Sequence, residues 1–555
     1  MCVRRPVGVG VGLSLAVTVL GSLGSPRAGR AADRVTLDHE AIYQTIQGWE
    51  ATAWANQESP AFEAFRDDLF DRTVTEVGID RLRLEVRSGA ENSRDFWGEY
   101  QRGEIEYQVW RENRYATVND NADPDALDRG GFHFSELSDT VEKVVLPIRE
   151  RVAAAGEELY VNLNYVAFTG QITSGRYEHA DPAEYAEFMH AVFLHLDERY
   201  GWVPDAIEIL LEPDNVTQWN GTLLGRSIVA TAAKLSAHGF APEFIAPSNT
   251  NMGNAVSYFD ALAAVPGALD HLDELAYHRY GGVSTANLQA IADRAVSNGL
   301  RTSMLEWWTD SNTYDVLHQD LELGRNSAWQ QAVVIGHFDV DESDPSKPRI
   351  SLKPTTRYIR QYTRFVRRGA VRIGASSTSG RLRPLAFTTG SGEVVVVNAS
   401  AGGDFEVAGL SSGSYGIQYT TAAAHAVDLP DVAVGPSGTL TATIPSRGVV
   451  TIYVRDGERP GIDFRRGDCN DDGTVDVSDA SCILNWLFLG GATPGCIAVT
   501  NTNGDASADI SDAVYVLARL FLGGPAPFAP FPDCGAGTLP TDEESCATPP
   551  KSCQQ

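Results

Sequence analysis

The sequence predicts an α/β protein, in which a (β/α)8 TIM barrel is followed by an antiparallel β-sandwich and a small α-helical domain. Three observations support this prediction. Short β-branched or apolar runs alternate with amphipathic helical patterns about eight times between residues 42 and 340, as in a (β/α)8 barrel. Alternating apolar segments separated by Gly and Ser turns then extend from 369 to 455, as in a β-sandwich. Finally, a loop–helix segment occurs twice near the C-terminus.

Eight candidate barrel strands follow one another along the chain. They are TIQGWEATA (45–53), IDRLRLEV (79–86), LYVNLNYVAF (159–168), AIEILLEP (206–213), EFIAPSN (243–249), ELAYHRY (274–280), RTSMLEWW (301–308) and VVIGHFDV (333–340). The helices between them have clear start signals, such as the N-cap Asp181 followed by Pro182. An open doubly wound sheet is the alternative, but no glycine-rich phosphate-binding loop follows any of these strands.

A long insertion, residues 88–134, follows the second predicted strand and is rich in aromatic and charged residues. Loops of this length are usually functional or disordered, and the aromatic content argues against disorder. We expect the insertion above the C-terminal face of the barrel, with its aromatic side chains either packed locally or in contact with a ligand.

The domain boundaries follow from these changes of pattern. The predicted units are a signal peptide (1–32), the barrel domain (33–365), the β-sandwich (366–456), a linker (457–466), the repeated loop–helix domain (467–535) and a cysteine-containing tail (536–555). At the N-terminus, Arg4 and Arg5 precede a Val/Gly/Leu run that suits a secretory signal better than a membrane span. We therefore expect a secreted, extracellular protein.

The cysteines indicate the cellular compartment, and the net charge limits the classes of binding partner. Apart from Cys2, the six cysteines all lie between residues 469 and 553, and an even, clustered set in a secreted chain predicts disulfides whose pairing the sequence does not fix. The formal net charge is −29, from 73 acidic and 44 basic residues. This balance argues against nucleic acid and anionic membranes as partners and favours cation binding.

Two glutamates stand where (β/α)8 barrels carry catalytic groups. Glu212 lies at the end of the fourth predicted strand and Glu306 near the end of the seventh, and these strand ends meet at one mouth. Two carboxyl groups about 5 Å apart can cleave a glycosidic bond with retention, one as nucleophile and one as acid/base. We expect a raised pKa for the acid/base, from the other carboxylate and aromatic walls. A capping or ion-paired structural role is the alternative for each.

Aromatic and hydrogen-bonding residues accompany the two glutamates. Tryptophan offers a flat apolar face to a sugar ring, and Asn, Arg or His side chains can donate to its hydroxyls, although each tryptophan also suits the hydrophobic core. The candidate substrate-binding residues are Trp49, Trp54, Arg83, Asn164, Asn215, His278, Tyr280, Trp307 and Trp308, with Asn162, Trp219 and Asn249 as further candidates. Tyr280 is expected to hydrogen-bond the nucleophile and keep it ionised.

The segments QTIQGWEATAW, LLEPDN, YHRYGG and LEWW resemble glycoside hydrolase clan A, and most of all family 30. KPTTRYIRQYTRFVRRGAVRIGASS and the following LRPLAFTTGSGEVVVVNAS are similar to that family's side β-domain, so the resemblance covers residues 40 to 455. It implies a retaining β-glycosidase that acts on a polysaccharide or glycoconjugate without a catalytic metal. In such enzymes the strand-4 glutamate, here Glu212, is the acid/base and the strand-7 glutamate, here Glu306, is the nucleophile.

One residue departs from the pattern of the clan. An asparagine that contacts the sugar 2-hydroxyl usually precedes the acid/base, whereas this sequence has Leu211. Either another donor such as Asn164 or Asn215 replaces it, or the substrate differs at that point. The alternative is a catalytically inactive barrel that binds glycans.

The segments DCNDDGTVDVSD (468–479) and NTNGDASADISD (501–512) form the C-terminal repeat, offset by 33 residues. Oxygen-bearing residues at loop positions 1, 3, 5, 9 and 12, with a backbone carbonyl at position 7, suit a cation of calcium size. The candidate ligands are Asp468, Asn470, Asp472, Thr474, Asp476 and Asp479 in the first loop, and Asn501, Asn503, Asp505, Ser507, Asp509 and Asp512 in the second. The second loop lacks the glycine at position 6, so we expect weaker binding there.

The duplicated loop–helix unit resembles a type I dockerin. The resemblance implies structural Ca²⁺ and a cohesin-type protein partner, although the cysteines also suit a stand-alone, disulfide-stapled variant. A dockerin-mediated scaffold or adhesion protein is therefore a further alternative to an enzyme.

Overall fold

A closed barrel of eight parallel strands confirms the predicted α/β barrel. The computed structural model describes residues 33–173, 175–309, 311–344, 347–455, 464–505, 507–535 and 550–553. The predicted signal peptide and most of the predicted linker and cysteine-containing tail lie outside these residues. Strand β1 (Asp33–Thr45) comes first, and the barrel consists of β2 (Gly48–Thr52), β3 (Arg81–Arg87), β4 (Tyr160–Val166), β5 (Ala206–Glu208), β6 (Glu243–Asn251), β7 (Leu272–Gly281), β8 (Arg301–Glu306) and β9 (Asn326–Val333).

The eighth barrel strand differs from the prediction. We expected it at 333–340, whereas the structure has it at β9, NSAWQQAV. This strand carries polar residues because Gln330 hydrogen-bonds the buried Glu50 while Trp329 packs in the hydrophobic core, so no apolar run marks it. The chain then forms a hairpin from β10 (Phe338–Asp341) and β11 (Arg349–Leu352).

Helices cover the barrel and fill the insertion. They are α1 (Phe62–Arg72), α2 (Phe96–Gln101), α3 (Tyr107–Asn113), α4 (Ser135–Thr140), α5 (Leu146–Ala154), α6 (Pro182–Tyr200), α7 (Gly221–Ala237), α8 (Met252–Ala263), α9 (Thr285–Ser297), α10 (Tyr314–Glu322) and α11 (Pro354–Thr363). Helix α6 begins as predicted, because the Asp181 carboxylate accepts the Ala183 N–H and Pro182 occupies the first helical position. It ends at Gly201 in the left-handed conformation that glycine adopts readily.

The aromatic residues of the insertion pack against one another. Helices α2 and α3 bring the rings of Trp97 and Trp110 to 5.0 Å between centroids, and Tyr100 stacks on Trp110 at 6.0 Å. Both tryptophans are buried. Local packing therefore accounts for these aromatic side chains.

A second, mostly antiparallel sheet packs beside the barrel. It contains β12 (Val371–Ser377), β13 (Leu382–Thr389), β14 (Gly392–Ala399), β15 (Gly403–Ala408), β16 (Gly413–Thr421), β17 (Val427–Val434), β18 (Thr439–Ile444) and β19 (Gly448–Val454). Strand β1 also belongs to it, antiparallel to β12 and parallel to β15. The boundary that placed residues 33–45 in the barrel domain was therefore wrong, because the alternating Val35 and Leu37 belong to the core of the second sheet.

One strand is shared between the two hydrophobic cores. On β14, Val394 and Val396 belong to the barrel cluster, whereas Val395 and Val397 belong to the cluster of the second sheet. Successive side chains of a strand point to opposite faces, so β14 joins both cores along its length.

The C-terminal repeat forms two similar helices, α12 (Val477–Leu489) and α13 (Ile510–Leu522). Each starts with a capping box, in which Asp476 pairs with Asp479 and Asp509 with Asp512. Disulfides join Cys469 to Cys482 and Cys534 to Cys553. In the part of the chain that the structure describes, no helix has the length and apolarity needed to cross a bilayer.

Candidate active site

Glu306 is the last residue of β8 and receives two hydrogen bonds. Arg83 of β3 donates from Nη2 to Oε2 at 2.5 Å, and the Tyr280 hydroxyl donates to Oε1 at 3.1 Å. Burial and the negative charge of Glu306 raise the pKa of Tyr280 above its ordinary value, so the phenol remains a donor. A guanidinium and a hydroxyl at these distances hold the Glu306 carboxylate in a fixed orientation.

Glu212 lies in the turn after β5 rather than on the predicted strand. Its backbone adopts the left-handed conformation, with φ 51° and ψ 60°, which is unfavourable for a residue with a side chain and recurs at functional sites. Its N–H donates to the Ser248 carbonyl at 3.2 Å, and Ser248 is itself left-handed, with φ 56°. Oε1 lies 3.2 Å from His278 Nδ1, and Oε2 accepts from Asn215 at 2.9 Å.

The electrostatics of Glu212 contradict the expected raised pKa. Burial raises the pKa of this carboxyl. The hydrogen bond and charge of His278, together with hydrogen bonds from Asn215 and Thr250, lower it by more than burial raises it. The pKa of Glu212 therefore lies below its ordinary value. Burial lowers the pKa of His278, yet the bond to Glu212 and the charge of Glu306 raise it more. The two residues thus form an ion pair at the mouth.

The two carboxylates and the histidine converge. One oxygen of Glu212, one oxygen of Glu306 and one ring nitrogen of His278 lie within 4.8 Å of one another. These donor types could also bind a divalent cation, but the guanidinium of Arg83 already compensates the charge of Glu306. Elsewhere in the described ranges, including the C-terminal loops, no three acidic, His or Cys side chains converge as closely.

Trp308 forms a wall of the site. Its ring is 42% exposed, and the Arg83 guanidinium lies 5.4 Å from its centroid. Its indole N–H donates to Gln330 at 3.0 Å, and its backbone N–H donates to the Tyr280 hydroxyl at 3.1 Å. Gln330 was missed at the sequence level because the eighth strand was misplaced.

The other predicted tryptophans occupy different environments. Trp54 follows β2 at the C-terminal end of the barrel and is exposed, whereas Trp307 is half-buried against the barrel core and lies 5.7 Å from the Arg279 guanidinium. Trp49 is 1% exposed and donates to the Val366 carbonyl at 2.6 Å, so its assignment to substrate binding was wrong. Trp219 is likewise buried and donates to the Tyr177 hydroxyl.

The reason for the error at Trp49 is the alternation of side chains along β2. Its neighbour Glu50 points into the lumen, where it accepts from Arg81 at 2.6 Å. Trp49 must therefore point outwards, away from the lumen and into the core around the barrel.

Leu211 does not line the mouth. Its side chain packs with Tyr115 and Val166 in an apolar cluster. Of the two proposed replacements for the missing asparagine, Asn215 already donates to Glu212 and to Thr250 Oγ1. Asn164 on β4 is fully buried, and both polar atoms of its side chain lack a hydrogen-bond partner.

Several other buried polar atoms near the mouth also lack partners. They are both side-chain polar atoms of Asn249, Nε2 of His278, and Nε and Nη1 of Arg83. Buried polar groups are nearly always hydrogen-bonded, to water if not to protein. Such a group of unused donors and acceptors suits a hydroxyl-rich ligand.

A network of paired charges lies below the mouth. Arg81 donates to Glu50 and, through two bonds of 3.0 and 2.8 Å, to Glu274. Asn162 donates to Glu208 at 3.0 Å, so this candidate belongs to the lumen network rather than to the mouth. All five residues are fully buried, and the network gives the site a fixed polar floor.

The two C-terminal loops fold around their last aspartate. Asp479 accepts the N–H groups of Asn470 and Asp476, and Asp512 accepts those of Thr502, Asn503 and Asp509. Burial, together with the charges of Asp468 and Asp472, raises the pKa of Asp479 to about 6.

The remaining loop residues surround these aspartates. Asn470 donates to Asp472, and Asn503 donates to Asp505. Asp468 accepts backbone N–H groups within the first loop, as Asn501 does in the second. The N–H groups of Thr474 and Ser507 bond to Asp472 and Asp505, respectively.

No family model matches the sequence. A glycoside hydrolase family 30 endoxylanase from Clostridium papyrosolvens C71 is 18% identical with a TM-score of 0.55, over 76% of this chain and 99% of that one. A conserved exported protein from Bacteroides fragilis is 14% identical with a TM-score of 0.55, over 75% of this chain and 99% of that one. An endo-β-1,6-glucanase is 15% identical with a TM-score of 0.52, over 77% of this chain and 95% of that one. At these identities the likeness shows the fold, an eight-stranded parallel barrel with a further sheet that this chain shares with family 30 xylanases and related glycoside hydrolases.

Proposed function

We propose that the protein is a secreted, retaining glycoside hydrolase that cleaves β-glycosidic bonds of a polysaccharide or glycoconjugate. The observation that carries this proposal is that one oxygen of Glu212 lies within 4.8 Å of one oxygen of Glu306. The carboxyl groups of retaining enzymes lie about 5–5.5 Å apart, and those of inverting enzymes about 6.5–9.5 Å apart. The glycoside hydrolases that share the fold, which include xylanases and a glucanase, support a carbohydrate substrate.

The reaction is a double displacement. Ionised Glu306, oriented by Arg83 and Tyr280, attacks the anomeric carbon while Glu212 protonates the departing glycosidic oxygen, which leaves as an alcohol. In the second step, ionised Glu212 takes a proton from water, and the resulting hydroxide displaces Glu306 from the sugar. The product keeps the anomeric configuration of the substrate.

His278 reconciles the low pKa of Glu212 with its acid role. The pair holds one proton across a contact of 3.2 Å. This proton passes from His278 Nδ1 to Glu212 as Glu212 protonates the glycosidic oxygen, which leaves His278 neutral and Glu212 ionised. The titration then belongs to the pair rather than to either residue. After the first step, the charged Glu212 that remains is the base that the second step needs.

The test is turnover of a panel of aryl β-glycosides and plant or algal polysaccharides. We expect Glu306→Gln to abolish turnover and azide to restore it in Glu306→Gly, with a glycosyl azide as product. Glu322→Gln, at an exposed glutamate of α10, is the matched control and should retain full activity. Glycan binding without turnover would support the inactive barrel, and an inverted product would refute the retaining mechanism.

We propose that residues 467–535 form a dockerin-like domain that binds structural Ca²⁺ and a cohesin-type partner. The repeated oxygen positions and the backbone wrapped around Asp479 and Asp512 support this proposal. Calorimetric titration of the intact protein should show two sites, with Asp479→Asn removing the tighter and Asp512→Asn the weaker one. Asp431→Asn in β17 is the control. Absence of calcium-dependent heat would refute the metal sites, and a cohesin titration tests the partner separately.

A further inference from the structure

A second cavity lies at the end of the barrel opposite to Glu212 and Glu306. It has a volume of about 400 Å³, within the range of roughly 300–1,000 Å³ typical of small-molecule sites. Its walls come from the end of β1, the end of α9 and the first residues of β8 and β9. The residues that matter here are Ile42, Tyr43, Val296, Arg301 and Arg325.

The cavity carries uncompensated positive charge. Arg325 lies 5.5 Å from the Tyr43 ring, and its side chain forms no hydrogen bond or ion pair with any residue that the structure describes. Arg372 stacks on the same ring at 3.9 Å, and burial together with the charge of Arg325 lowers its pKa to about 10. Arg301 is compensated by Glu243 and by Glu274, 3.8 Å from its Nε, so Arg325 supplies the unpaired charge of the cavity.

The backbone of Arg325 is unfavourable for a residue with a side chain. Its φ is 52°, in the left-handed region that glycine or asparagine occupies more readily. An arginine in this conformation gains no intramolecular ion pair in return. A ligand with a negative group would use the guanidinium, which is suited to planar recognition of a carboxylate or a similar anion.

Apolar side chains also line the cavity. Ile42 is 60% exposed and Val296 is 55% exposed, and Leu300 continues this surface. The Gln44 amide, which also lines the cavity, is already bonded to the Leu321 and Asn326 carbonyls and to Arg372. The cavity therefore suits a ligand with one anionic group and an apolar face.

We propose that this cavity is a secondary, non-catalytic site for a sugar residue that carries one anionic group, either a carboxylate or a sulfate. The anionic group pairs with Arg325, and the C–H face of the ring lies on Ile42 and Val296. The choice of a sugar over other amphipathic anions depends on the proposed function. The site would hold an acidic part of the substrate on the face away from the chemistry.

The test is calorimetric titration of the intact protein with glucuronate, glucose 6-sulfate, glucose, hexanoate and inorganic sulfate. One or both acidic sugars should bind at a 1:1 ratio and at least about tenfold more tightly than glucose or inorganic sulfate, since a charge-assisted bond and an apolar contact act together. Glucuronate and glucose 6-sulfate distinguish the two sources of the anionic group. Arg325→Asn should weaken binding at least about tenfold without lowering Tm, because asparagine accepts the left-handed backbone.

Control variants separate this cavity from the catalytic mouth. Arg102→Asn, at an exposed arginine of the insertion, should leave binding unchanged, and Val296→Ser should weaken the acidic sugars but not sulfate. The binding measurement does not depend on the protein being a hydrolase. If it is one, Arg325→Asn should not alter hydrolysis of a small aryl glycoside. Failure of both acidic sugars to bind, equal binding of inorganic sulfate or hexanoate, or full binding in Arg325→Asn would each overturn the proposal.

Discussion

Replacement of Leu211 by asparagine restores the residue that usually precedes the acid/base in clan A, yet the structure predicts a less stable protein with no gain in catalysis. Leu211 is 6% exposed and packs with Tyr115 and Val166. Its N–H donates to the Tyr165 carbonyl at 2.9 Å, which fixes the backbone that directs the side chain. An asparagine at this position would therefore place its amide in an apolar cluster, not against a sugar.

The magnitude follows from two contributions. Burial of a leucine side chain contributes about 2–3 kcal/mol, and a buried amide without a partner costs about 1–3 kcal/mol. The free energy of unfolding should therefore fall by about 3–6 kcal/mol, which corresponds to a decrease of roughly 3–7 °C in Tm for a cooperative unit of this size. Because the mouth is unchanged, kcat/KM on an aryl glycoside should stay within about twofold of wild type well below Tm.

The assay combines calorimetric unfolding with steady-state kinetics. Leu211→Met is the control, because a swap that conserves volume should cost less than about 1.5 kcal/mol. If Leu211→Asn proved as stable as the wild type and gained activity, the side chain would face the sugar, and the assignment of Leu211 to the apolar cluster would be incorrect.

Three further changes test the site and its support. His278→Asn removes the cation that holds the pKa of Glu212 down, so this pKa should rise. With an activated leaving group that makes the second step limiting, the acid limb of kcat should move to higher pH, and an unmoved limb would contradict the ion pair. Asn164→Ala should lower kcat/KM about 10- to 100-fold on substrates with a 2-hydroxyl but much less on 2-deoxy analogues, and an equal loss on both would exclude the contact. Glu274→Gln leaves Arg81 partly unpaired and should lower the free energy of unfolding by about 3–5 kcal/mol, measured by denaturant titration. Glu243→Gln, at the more exposed partner of Arg301, should cost less than about 1 kcal/mol.

The sequence predicted the parts of the site that local pattern specifies. Glu212 and Glu306 were identifiable because one lies just after a strand and the other ends a strand, and neither belongs to an amphipathic stripe. Trp49 was misassigned because nothing in a five-residue strand shows which face is the lumen until Glu50 is seen to meet Arg81. Gln330 was not predicted because its strand, β9, carries polar residues that face the barrel interior. Such a strand lacks the apolar pattern on which strand prediction depends.

Other features depend on contacts between distant parts of the chain. The low pKa of Glu212 comes from His278, 66 residues away, and the neighbouring carboxylate alone suggested the opposite direction. The direction of the Leu211 side chain depends on Tyr115 of the insertion. Neither relationship leaves a local trace in the sequence.

The position of β1 determines when the polypeptide can finish folding. This strand emerges first during synthesis, yet its neighbours β12 and β15 appear more than three hundred residues later. In a nascent chain, β1 therefore has neither of its partner strands until the whole barrel has been synthesised. Removal of residues 33–45 would therefore take out an interior strand of the sheet, between β12 and β15, rather than a dispensable end.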